Sequence, residues 1–218
     1  MKEYGESTFD ILYLIFAITI GILILIRAKN YKQRLMGIAS LVLGCGDAFH
    51  LVPRMLNYFV DGDFNTAIGV GKLVTSITMT VFYVLIYHVY LHFDGVEEKR
   101  VITAAVYLLS AVRIILCCFP QNRWIENDSP YLWGILRNIP FLILGILIIV
   151  LYFTKREIPH MRLIWLYITL SFAFYLVVVL GASYLEILGM FMLPKTICYV
   201  LILLAFYRSV QDENKITA

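Results

Sequence analysis

Long apolar runs separated by short polar segments make up almost the whole chain. Counted against the roughly 20 residues that a helix needs to cross a ~30 Å hydrocarbon core, they give seven spans, near 9–27, 35–59, 67–92, 101–120, 131–153, 161–187 and 191–208. Several runs are rich in Val, Ile and Tyr, but lipid excludes an unpaired strand backbone, and the runs are too long and uniformly apolar for barrel strands. The pattern predicts an all-α integral membrane protein, a seven-transmembrane-helix bundle that forms one polytopic domain over residues 1–218.

Composition supports a membrane environment and limits the partners. Of the 218 residues, 61% are hydrophobic and 15% are charged, more apolar surface than a soluble domain of this length can bury. The net charge of +3 is spread along the chain, so we expect no nucleic-acid partner. We expect a multi-pass protein, in the plasma membrane of a bacterium.

Neither a metal nor a cofactor is expected. His88 and His92 lie one turn apart, but no third ligand is evident near them. The cysteines match neither zinc spacing nor a disulfide framework. We expect them to be free thiols, packed as small hydrophobic side chains; they are Cys45, Cys117, Cys118 and Cys198.

The lysines and arginines of the short loops predict the orientation. Alternate segments are basic, namely "RAKNYKQR", "DGVEEKR", "TKREIPHMR" and the C-terminal tail. The opposite segments carry only Lys2 and Arg123 among an excess of acidic residues. Because cytoplasmic loops are enriched in basic residues, we expect the N-terminus outside and the C-terminus in the cytoplasm.

Five basic residues remain inside the predicted spans, each in a different span and each in the outer half. A charged side chain that faces lipid costs about 2.5–3.5 kcal/mol, so we expect these residues to line an inward, outward-open cavity. Snorkelling to headgroups is the alternative for the two lysines. The arginine fork suits phosphate or carboxylate, and the predicted partner is a membrane lipid or a small organic anion. The predicted ligand-binding residues are Arg54, Lys72, Arg113, Arg137, Lys195, Glu186, Tyr175 and Tyr199.

The segment "GCGDAFHLVPR" places two further ionisable residues on the face of the second span that carries Arg54. Asp47 and His50 are three residues apart, so they share that face. An aspartate can orient a histidine as a general base, which predicts a catalytic pair. The alternative is a buried polar pair that fixes helix packing. Pro53 removes one backbone donor and frees the Phe49 carbonyl, so a kink is expected beside His50.

Two classes of function follow from these residues. The first is a hydrolase-like enzyme that modifies an anionic lipid or amphiphile with Asp47 and His50. The second is a small proton-coupled transporter, or a seven-helix receptor or sensor, for an organic anion. In the transporter, Asp47 or His50 takes up the coupling proton. Turnover of a lipid favours the enzyme, whereas uptake or binding without turnover favours the second class.

Two resemblances are confined to short features. Seven spans with a lysine in the last one resemble the retinal proteins, but Lys195 lies near the outer end of its span and the third span has no carboxylate counter-ion. The stretch "LGCGDAF" resembles the glycine–aspartate motif of membrane lysoplasmalogenases over one helix, and the number of spans differs. Neither resemblance assigns the chain to a family.

Overall fold

Seven α-helices form the structure, a computed structural model that describes residues 2–181 and 184–216 without the side chains of Lys2 and Glu186. Two 3₁₀ turns, Pro120–Asn122 and Glu186–Phe191, lie in the connections. The helices are α1 (Lys2–Arg27), α2 (Tyr31–Phe59), α3 (Asn65–Leu91), α4 (Arg100–Cys118), α5 (Tyr131–Thr154), α6 (Ile164–Gly181) and α7 (Met192–Ile216).

All seven helices are long and apolar enough to cross a membrane, which confirms the prediction at this level. Large apolar side chains also cover the outside of the bundle. Ile15, Leu108 and Ile146 are each more than half exposed. Such a surface suits lipid and not water, because soluble monomers rarely expose large apolar patches. The helices therefore suggest a multi-pass membrane protein.

The helices close into a ring around a buried aromatic core. Each helix packs against the next in sequence, α1 packs against α7, and α3 also contacts α5. At the centre, the rings of Tyr83, Phe141 and Phe172 meet edge to face at 5.1 and 5.4 Å from Tyr83. We call the end of the bundle at which α1 begins the amino end, and the end at which α7 finishes the carboxyl end.

α1 begins well before the predicted residue 9 because its first turns pack against the end of α2. The Tyr4 and Phe59 rings lie 5.0 Å apart. The Tyr58 hydroxyl donates a hydrogen bond to Glu6 at 3.2 Å. The acidic N-terminal segment is therefore part of the bundle wall at the amino end.

α7 continues past the predicted residue 208 because its polar end is tied to neighbouring loops at the carboxyl end. Lys32 forms an ion pair with Glu213 at 3.1 Å. His160 contacts Asp212 at 2.7 Å. These contacts extend the helix beyond its apolar run, so hydropathy alone places the end of α7 too early.

α6 is shorter than the predicted span 161–187. It ends at Gly181, whose carbonyl oxygen accepts hydrogen bonds from the backbone N–H groups of Tyr184 and Leu185. The chain then makes its 3₁₀ turn and enters α7 directly. The segment between α6 and α7 is apolar without being a continuation of α6, which the hydropathy pattern could not distinguish.

Small residues bring α2 and α3 into close contact near His50. A Cβ at Gly71 would overlap the Phe49 carbonyl oxygen, which is the group that Pro53 leaves without its helical donor. One turn away, the Thr75 hydroxyl donates to the Gly46 carbonyl at 3.0 Å. Backbone contact at Gly71 fixes His50 against α3, where a larger side chain would push the helices apart.

Candidate functional site

A cavity of about 300 Å³ lies within the bundle near the amino end. Side chains from α2 to α7 and from the α4–α5 loop line it. Within the described part of the chain, no carboxylate is among the lining residues, although the cavity holds an excess of positive charge. We call it the basic cavity, after its four basic side chains Lys72, Arg113, Arg137 and Lys195.

Arg113 is the most deeply buried of these cations, with 3% of its surface exposed. Its guanidinium carbon lies 3.3 Å from the centre of the Phe141 ring, and the Cys117 thiol is beside it. The Nε and Nη1 atoms of Arg113 have no hydrogen-bond partner among the described residues, and no described carboxylate forms an ion pair with it. A buried charge without a counter-charge carries a large desolvation penalty. Two buried nitrogens of Arg113 are therefore available to further hydrogen-bond acceptors.

The α4–α5 loop, residues 119–130, holds the other arginine of the basic cavity. Arg137 donates from Nη1 to Asn122 Oδ1 at 2.7 Å and to Ser129 Oγ at 3.2 Å. The Trp124 ring lies 4.4 Å from the guanidinium carbon of Arg137. All of these partners are neutral, so they orient the guanidinium and leave its charge uncompensated.

Lys72 is anchored by the same loop. Its Nζ donates to Asn127 Oδ1 at 2.7 Å. Asn127 has a positive φ of 53°, a conformation that asparagine tolerates better than most residues. Gly69 lies one turn before Lys72, and a Cβ there would overlap the Trp124 carbonyl oxygen. The glycine allows the loop to rest directly on α3, which brings Asn127 to Lys72.

Asn122 holds the loop in place and is fully buried. Its side-chain amide donates to the carbonyl oxygens of Leu116, Cys117 and Phe119, at 2.7, 3.2 and 2.9 Å. These carbonyls belong to the end of α4, where helical partners run out. The same side chain accepts the hydrogen bond from Arg137. One asparagine thus caps α4 and positions a cation of the cavity.

Lys195 enters the basic cavity between two tyrosines. Its Nζ lies 4.9 Å from the centre of the Tyr175 ring and 5.6 Å from that of Tyr199. Tyr175 lines the cavity and donates to Asn138 Oδ1 at 2.9 Å. Tyr199 is buried below, with its hydroxyl 3.4 Å from that of Tyr83. Both tyrosines that sequence analysis singled out therefore contact Lys195, but only Tyr175 lines the cavity.

A second, smaller cavity of about 90 Å³ adjoins the first and has a different character. Three carboxylates from α1 and α2, together with Arg54, line it. We call it the acidic cavity, after Glu6, Asp10 and Asp47. The residues that line both cavities, and so separate them, are His50, Thr75, Met192 and Lys195.

Asp47 and His50 occupy one side of the bundle but are not directly paired. Asp47 Oδ2 accepts a hydrogen bond of 2.6 Å from the Tyr13 hydroxyl of α1. Within the described residues no hydrogen bond joins Asp47 to His50, and the buried Nδ1 of His50 has no partner. Asp47 therefore does not orient His50 in this structure, contrary to the expectation. Its carboxylate accepts a hydrogen bond from Tyr13 instead.

Arg54 also differs from the expected ring of ligand-binding residues. Arg54 faces the acidic cavity, where its guanidinium pairs with the buried carboxylate of Asp10. That partner compensates its charge, so Arg54 is not available to the basic cavity in the way that Arg113 is. The side chain of Glu186 lies outside the described part of the chain.

Loop residues are the part of the site that sequence analysis missed. The predicted site contains charged and tyrosine residues of the spans, and the neutral loop residues Asn122, Asn127 and Ser129 are absent from it. The signal was a dense run of polar residues, "PQNRWIENDSP", in a short connection between two apolar spans. The chain matches no known protein family, no curated protein and no solved structure. Its geometry is therefore the basis for any functional conclusion.

Proposed function

We propose that the protein binds, in its basic cavity, the anionic group of an amphiphile or of a small organic molecule. The observation that carries this proposal is Arg113, a buried guanidinium with two unpartnered nitrogens in a cavity that no described carboxylate lines. Phosphate and carboxylate groups supply the acceptors that such a fork lacks. A cavity of about 300 Å³ suits a small ligand or headgroup.

The cavity opens, in this proposal, toward the outside of the cell. The connections at the carboxyl end contain most of the loop lysines and arginines, including Arg27, Lys99 and Lys155. Those at the amino end are acidic by comparison. Basic loops are retained in the cytoplasm, which supports an extracytoplasmic amino end and basic cavity.

Inorganic phosphate is expected to raise the melting temperature of the protein in a non-ionic detergent, because a ligand that binds only the folded state stabilises it. Arg113→Gln should weaken the binding of phosphate by about tenfold or more, the scale of one hydrogen bond to a charged group. Dioctanoyl phosphatidic acid carries the same chemistry on an amphiphile. Stabilisation by that lipid at lower concentrations than phosphate would show that the bound anionic group is a lipid headgroup and not a free anion.

Arg123→Gln is the matched control for this measurement. Arg123 belongs to the same loop, but its side chain is about half exposed and pairs with Asp128 on the surface. This variant should keep the full response to phosphate. Failure of phosphate, carboxylates and phosphatidic acid alike to stabilise the wild-type protein would contradict the proposal.

Hydrolysis of the bound ligand is a second candidate function, favoured by His50. Its Nδ1 is buried without a partner, and its ring lines both cavities. An imidazole with one nitrogen free of a hydrogen bond, beside an anion site, can act as a general base. The competing candidate is proton-coupled transport of the anion, in which His50 or Asp47 takes up the proton.

His50→Gln is expected to abolish any conversion of dioctanoyl phosphatidic acid while leaving its binding intact. Asp47→Asn should have a smaller effect on conversion, because Asp47 contacts Tyr13 and not His50. Mass spectrometry of the lipid after incubation with each variant measures this. Phosphate uptake into vesicles that depends on a pH gradient, with no converted lipid, would instead favour transport.

A further inference from the structure

The four cations of the basic cavity fall into two groups that are held in different ways. Lys72 and Arg137 lie within electrostatic range of each other, and both are fixed by amide or hydroxyl oxygens of the α4–α5 loop. Arg113 and Lys195 are likewise close to each other, but they lie against aromatic rings. The first pair comes from α3 and α5, and the second from α4 and α7.

No described carboxylate lines the basic cavity beside either pair, although Lys195 also lies within electrostatic range of Asp47 in the acidic cavity. Asparagine and serine oxygens orient Lys72 and Arg137, yet they cannot neutralise them. Aromatic faces attract Arg113 and Lys195, but two nitrogens of Arg113 remain without acceptors. A single anionic group between Lys72 and Arg137 would leave these two nitrogens of Arg113 without acceptors.

Part of the cavity wall is apolar. Met79, Phe141, Val178 and Met192 line it together with the cations. The volume of about 300 Å³ corresponds to the space of ~10 water molecules in the liquid, enough for a short chain with a charged group at each end. A cavity with two pairs of cations and an apolar wall is complementary to a ligand with two anionic groups and an apolar segment.

Building on the proposed function, we propose that the ligand carries two anionic groups joined by a short apolar segment, as in a dicarboxylate. One anionic group contacts Arg113 and Lys195. The other contacts Lys72 and Arg137, which the α4–α5 loop holds ready to receive it. The apolar segment lies against the methionine, valine and phenylalanine side chains of the wall.

The test compares adipate with hexanoate, which have the same number of carbons but two carboxylates and one. In the wild-type protein, adipate should cause half-maximal thermal stabilisation at a concentration at least about tenfold lower than hexanoate, since each added hydrogen bond to a charged group contributes about that factor. Succinate and suberate, shorter and longer dicarboxylates, should bracket the best chain length. This comparison requires no variant.

Variants then assign the two ends of the ligand. Arg113→Gln and Arg137→Gln should each weaken adipate by about tenfold, whereas hexanoate should lose affinity in only one of them. Arg123→Gln is the control that should leave both ligands unaffected. Equal affinities for adipate and hexanoate in the wild-type protein would overturn the two-group proposal. Phosphate binding in that same case would leave the proposed function intact, and failure of all three probes would overturn both.

Discussion

Arg113→Met is expected to raise the melting temperature of the protein in a buffer that contains no phosphate or carboxylate. Most substitutions of buried residues lower stability. Here the native side chain is an ion that is 3% exposed and has two nitrogens without partners. Burial of such a charge costs several kcal/mol, and its replacement by an apolar side chain of similar length should stabilise the protein by about 1–4 kcal/mol.

The expected gain is smaller than the full desolvation penalty because one favourable contact is lost. Arg113 lies on the face of the Phe141 ring at 3.3 Å, and a desolvated cation–π contact contributes about 2 kcal/mol. Methionine restores part of that contact, since its thioether also packs well on aromatic rings. The net effect should therefore remain stabilising.

Thermal denaturation of the wild-type protein and of Arg113→Met, with and without phosphate, measures how the substitution changes stability and phosphate binding. Arg113→Met should melt higher than wild type without phosphate and show a smaller rise than wild type when phosphate is added. Arg123→Met, on the exposed loop surface, should change neither value. A lower melting temperature for Arg113→Met would mean that the guanidinium is already satisfied, which would remove the main support for an anion site.

Much of the bundle was predictable because lipid leaves few solutions. Seven apolar runs of sufficient length dictate seven helices, and alternating connections place their ends on two sides. Lys72, Arg113, Arg137 and Lys195 lie at a similar depth from the amino end and are too costly to expose to lipid. Hydropathy and helical spacing therefore sufficed to predict that these residues meet.

Pairwise contacts could not be predicted in the same way. Helical spacing places Asp47 and His50 on one face, but it does not specify which residues of other helices approach that face. The Tyr13 hydroxyl of α1 donates a hydrogen bond to Asp47, and Asp10 of α1 forms an ion pair with Arg54. Both contacts depend on the packing of α1 against α2, and the sequence alone contains no measure of that packing.

Loop geometry was the other part that remained out of reach. The positive φ angles of Arg123 and Asn127 direct the chain back over α3. Gly69 accepts this close approach. An irregular loop has no periodic sequence pattern from which its course can be predicted. The residues that anchor Lys72 and Arg137 could therefore be recognised only from coordinates.

Asn122→Ala should be the most damaging single substitution in this loop. It removes the donors to three carbonyl oxygens at the end of α4 and the acceptor for Arg137. The Cys117 and Phe119 carbonyls keep donors from Trp124 Nε1 and from the backbone N–H of residue 122, and Arg137 keeps Ser129. The Leu116 carbonyl loses its side-chain donor, and a buried polar group left unsatisfied costs about 1–3 kcal/mol. We expect a loss of about 1–3 kcal/mol in unfolding free energy, measured by thermal or chemical denaturation in detergent.

Gln121→Ala, one residue earlier in the same 3₁₀ turn, is the matched control because Gln121 is exposed. It should leave stability unchanged. A second variant, Asn122→Asp, separates the two roles of the side chain: a carboxylate still accepts from Arg137, yet it cannot donate to the α4 carbonyls. It should therefore lose stability while Arg137 stays anchored. If Asn122→Ala melts like Gln121→Ala, the loop is not held by this residue, and the orientation of Arg137 must come from Ser129 and Trp124 alone.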